Sequence, residues 1–83
     1  MKLLDELPTI YKAFEPHKTA IALYAKRLQA QGGYNDFQTR LCWDCLRTFI
    51  GTETICDWYG RYHANDKHIT TAAKTVLKRL EII

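Results

Sequence analysis

At 83 residues, 47% of them hydrophobic and 25% charged, the chain has room for one domain with one core, and its evenly spread apolar residues exclude disorder. Twelve Lys and Arg against nine Asp and Glu give +3, a mild basic excess and not a polybasic tail. A domain this short is marginally stable alone, and self-association is a common remedy.

The opening MKLLDELPTIYK carries Asp5, Glu6 and Pro8 where a secretory leader would stay apolar. No stretch approaches the roughly 20 apolar residues that cross a bilayer. The chain is therefore expected in the cytoplasm, away from membranes, with Cys42, Cys45 and Cys56 reduced.

Leu3, Leu4 and Leu7, then Ile10, Tyr11 and Phe14, keep helical spacing, with Pro8 suited to a first turn and a short helical turn before it. Pro16 is expected to begin a second helix reaching Gln31, with Ile21, Tyr24, Ala25 and Leu28 inward and Gly32-Gly33 ending it. Asn35 or Asp36 can cap a third helix to about Ile50. Leu41, Cys42, Cys45 and Leu46 sit on its apolar face with Phe37 and Phe49, opposite a row of Asp36, Arg40, Asp44 and Arg47. Gly51 ends it, and Thr52 is expected to cap a fourth helix to about Ala64 with Ile55, Tyr59 and Tyr62 inward. The last helix should start between Asp66 and Thr71 and run to the end, burying Ile69, Ala73, Val76, Leu77, Leu80 and Ile83. No segment alternates with period two, so the expected fold is all-α, a single domain over 1–83 of four to five short helices.

Three functional readings follow. The leading one is a non-enzymatic protein-binding module, a regulator or inhibitor whose partner is another protein or a second copy in a homodimer. Its expected contact residues are Trp43 at the edge of the third helix's apolar stripe, Ile50, Arg47 and Trp58, because Trp and Arg dominate binding energy. The alternative is a small DNA- or RNA-binding regulator. Lys18, Lys26 and Arg27 of segment 16–31 and Lys67, Lys74, Lys78 and Arg79 of segment 67–83 would then lie on one phosphate-facing surface. The third is a zinc-stabilised domain using Cys42, Cys45, Cys56 and His63. Against it, Cys42 and Cys45 fall mid-helix on an apolar face, where free cysteine behaves as a small hydrophobe. Neither a phosphate-binding glycine loop, a nucleophile elbow nor an HExxH motif is present, and His17, His63 and His68 have no evident partner, so neither an enzyme nor a cofactor is expected.

Overall fold

A computed structural model describes residues 2–32 and 36–83. Asn35 and Gly33, named above as cap and terminator, lie outside the described residues. The fold is all-α, and among the described residues no strand occurs. A 3-10 turn, Leu3–Glu6, leads into α1, Leu7–Phe14. α2 spans Lys18–Gln31, α3 Phe37–Cys45, α4 Thr52–Tyr62 and α5 Asp66–Arg79. α5 packs on α1, the N-terminal turn and α3, while α2 packs on the other flank of α3.

Local chemistry explains most boundaries. Pro8 stands in the first turn of α1, where its missing N–H is an orphan in any case. Asp36 caps α3, its carboxylate accepting from the Thr39 amide at 3.2 Å and the Thr39 hydroxyl at 2.6 Å. Asn65 and His68 form a reciprocal box at the start of α5: the Asn65 side chain accepts from the His68 amide at 2.9 Å, and His68 Nδ1 accepts from the Asn65 amide at 3.3 Å.

Three boundaries differ from the sequence expectation, and the third helix, which ends at Gly51 as expected, changes its winding. Pro16 does not open α2 but sits in a 3-10 turn, Glu15–His17, that joins it to α1, because its absent N–H breaks the helical ladder there. The third helix widens into a π-turn, Leu46–Ile50, closed by the Gly51 amide donating to the Leu46 carbonyl at 2.8 Å. Gly51, at φ +96°, both ends that turn and stands at the N-cap of α4, so Thr52 is the first helical residue and makes no cap. α5 stops at Arg79 instead of running on. Glu81 takes φ +62°, and the Glu81 and Ile82 amides turn back to the Lys78 and Leu77 carbonyls, both at 3.0 Å. This is the paired hydrogen bonding of a Schellman ending, here with glutamate where glycine is usual.

One buried cluster joins all the helices. α3 and its π-turn contribute Leu41, Cys42, Cys45 and Leu46, all 0% exposed. α5 adds Ile69, Ala72, Ala73, Val76 and Leu77; α2 adds Ile21, Ala25 and Leu28; Ile10 and Phe14 come from α1. In α4 the inward pair is Ile55 and Trp58, while Tyr59 and Tyr62 are half-buried. The tyrosines keep to the margin because a phenol needs a partner or water: the Tyr59 hydroxyl donates to Asp66 and ties α4 to α5. Gly60 meets nothing within 4 Å of a Cβ built on it, so it serves no close backbone approach.

Candidate protein-contact surface

The residues expected to contact a partner divide sharply. Trp58 is 5% exposed and belongs to the core, so it has no area to present outward. Trp43 and Ile50 are half-buried and packed against the same cluster. Arg47 is exposed but held by Asp44 at 3.0 Å.

Asp44 is the hub between α2 and α3. Its side chain, 13% exposed, accepts from Arg40 Nε and an Arg47 guanidinium nitrogen, each at 3.0 Å, and from the Tyr24 hydroxyl of α2. Burial opposes its ionisation. The hydrogen bonds from Tyr24, Arg47 and Arg40 outweigh that and hold the carboxyl below its ordinary range. The same bond to Asp44, with burial adding to it, pushes the Tyr24 phenol up to about 12. This cluster is structural. It fixes α2 against α3 and sets which face of α2 points away.

That outer face carries Lys26 and Arg27, expected above as phosphate contacts, around Leu23, which sequence reasoning missed. Leu23 is 55% exposed, the most exposed large hydrophobic side chain among the described residues. Lys26 and Arg27 follow it at i+3 and i+4 and flank it on the helix surface, with Thr19 and Ala30 in line before and after. All five are exposed, and so are Lys18 and Ala20. Between Lys18 and Gln31 the helix has three bases and no acid. The sequence signal was present: α2 has apolar residues on both sides of its axis, whereas a helix with only a core to serve has one stripe.

Both α2 and α5 pack on α3, and α2 residues Ala22, Lys26 and Gln29 line a cleft together with Glu81, Ile82 and Ile83, which follow α5. On α5, Lys67, Lys78 and Arg79 are exposed. Lys74 is half-buried and near enough to Asp36 and Cys42 of the third helix to favour their charged forms.

The zinc set does not assemble. Among the described residues no three His, Cys, Asp or Glu side chains are grouped to hold a metal ion. Cys42 and Cys45 are sealed in the core, Cys56 is exposed on α4, and His63 takes the left-handed conformation that ends α4. Burial pushes the Cys42 thiol up to about 11 and the Cys45 thiol to about 12, as expected of cysteines packed as small hydrophobes. Among the described residues no helix is long and apolar enough to cross a membrane. In comparison with known proteins, the chain matches no family model, no curated protein and no solved structure.

Proposed function

We propose that the protein is a non-enzymatic binding module that docks on an acidic surface of a partner protein through the outer face of α2. The observation that carries this is Leu23, exposed at the centre of a helix face where Lys26 and Arg27 flank it, on a helix that has no acid. A solitary surface leucine means little. A leucine ringed by small residues and by charges of one sign combines an apolar anchor with electrostatic selection of the partner. The 14-residue helix is about 21 Å long, enough to lie along a partner helix or groove.

Charge also separates this reading from its rivals. Two copies meeting through this face would set Lys26 and Arg27 against the same pair, which opposes a homodimer there. A phosphate backbone would satisfy the bases but leave Leu23 and Ala30 without an apolar counterpart.

The test is quantitative affinity capture from nuclease-treated native lysate with the whole chain as bait. A protein of acidic isoelectric point is expected to be retained by wild type and by a Thr52→Glu control on α4, and lost with Leu23→Glu or Arg27→Glu. Captured material that is unchanged by Leu23→Glu, or that disappears on nuclease treatment of wild type, contradicts the proposal.

A further inference from the structure

A second site lies on different elements. The N-terminal turn and the corner between α4 and α5 enclose a cleft of about 570 Å³ lined by Lys2, Leu3, Leu4, Tyr62, His63 and His68. Its size falls within the roughly 300–1,000 Å³ of small-molecule sites. Leu3, Leu4 and Tyr62 give it apolar walls, and Leu4, 42% exposed, is the other large hydrophobic side chain left in the open among the described residues. Its polar groups are an ammonium and two imidazoles, with no acid among the lining residues. Asp66, at the start of α5, is bonded to Tyr59.

His68 is already oriented. Its Nδ1 accepts from the Asn65 amide in the capping box, so the proton of the neutral ring is on Nε2, which remains as a donor. The cap thus fixes both the tautomer and the ring, which lowers the ordering needed when a ligand binds.

We propose that this cleft binds a small organic carboxylate: an apolar body seated on Leu3, Leu4 and Tyr62, its carboxylate received by Lys2 and His68. The inference is independent of the α2 surface, since the two share no residue. The probe is 2-naphthoate, with neutral 2-naphthamide for comparison, titrated into the whole chain and followed by amide chemical shifts and calorimetry. Saturable shifts confined to residues 2–4 and 62–68 are expected. The amide should bind roughly threefold or more weakly, and Lys2→Met and His68→Gln should each weaken 2-naphthoate by about two- to fivefold. Gln at 68 keeps an acceptor for the capping box, so its effect is not one of helix fraying. Leu4→Asp should abolish binding without altering the far-UV circular dichroism, since Leu4 is already exposed. Equal affinity for acid and amide, shifts scattered over the chain, binding that survives Leu4→Asp, or no saturable shift up to about 5 mM overturns the proposal.

Discussion

Removing Asp44 should loosen α2 from α3. The Asp44→Ala change deletes two exposed arginine pairs at 3.0 Å, each contributing about 0.2–1 kcal/mol because the arginine side chains are 53% and 60% exposed. It also deletes the carboxylate that accepts from Tyr24, a hydrogen bond to a charged and mostly covered group, where losses of about 1.5–3 kcal/mol are typical. Screening and relaxation take the sum toward the lower end, so a loss of about 2–3 kcal/mol is expected. Urea denaturation of wild type, Tyr24→Phe, Asp44→Ala and the double variant isolates the pair. The coupling energy should be about 1–2 kcal/mol. The same set has a pH signature. Folding lowers the Asp44 carboxyl, so its contribution is fully present above the ordinary carboxylate pKa of about 3.9 and is lost as pH falls through the folded value. The stability gap between wild type and Asp44→Ala should stay constant from neutral pH to about 5 and shrink below about 4. Coupling under about 0.3 kcal/mol, within ordinary additivity error, would refute the reasoning.

Other consequences are local. Gly60→Ala should stabilise the protein by about 0.5–1 kcal/mol, since Gly60 lies inside α4, is exposed and meets nothing within 4 Å; thermal unfolding at a lower temperature than wild type would contradict this. Asn65→Ala should cost about 0.5–2 kcal/mol by freeing the first-turn amide of His68, measured by denaturant titration, and an unchanged midpoint would show that the capping box contributes nothing. Of the three cysteines, Cys56 alone should react rapidly with an aromatic disulfide reagent in the native protein, with Cys42 and Cys45 following only on unfolding; rapid modification of all three would contradict the sealed core.

Much of the scaffold is legible in the sequence where its causes are local. Leu41, Cys42, Cys45 and Leu46 recur at helical spacing beside the alternating charges of Asp36, Arg40 and Asp44, and the structure buries the former and pairs Arg40 with Asp44. Asp36 is readable as a cap for the same reason. Features that depend on distant partners are not. The 46–50 π-turn has no Gly or Pro inside it to announce it. Trp58 and Tyr59 are adjacent candidates for the core of α4, and the choice falls to Trp58 because Asp66, seven residues beyond Tyr59, captures the phenol. Tyr24 and Asp44 are 20 residues apart, so their bond is invisible to any periodicity. The expected contact set consequently centred on Trp43 and Trp58, residues that the tertiary packing partly or wholly encloses.

Photo-crosslinking in the native cell addresses the α2 surface most directly. With p-benzoylphenylalanine in place of Leu23, a discrete adduct to an acidic protein should form, and the same group at Thr52 should give none. An adduct to a second copy of the chain or to nucleic acid, equal yields at both positions, or no adduct at position 23 would contradict the assignment of that face.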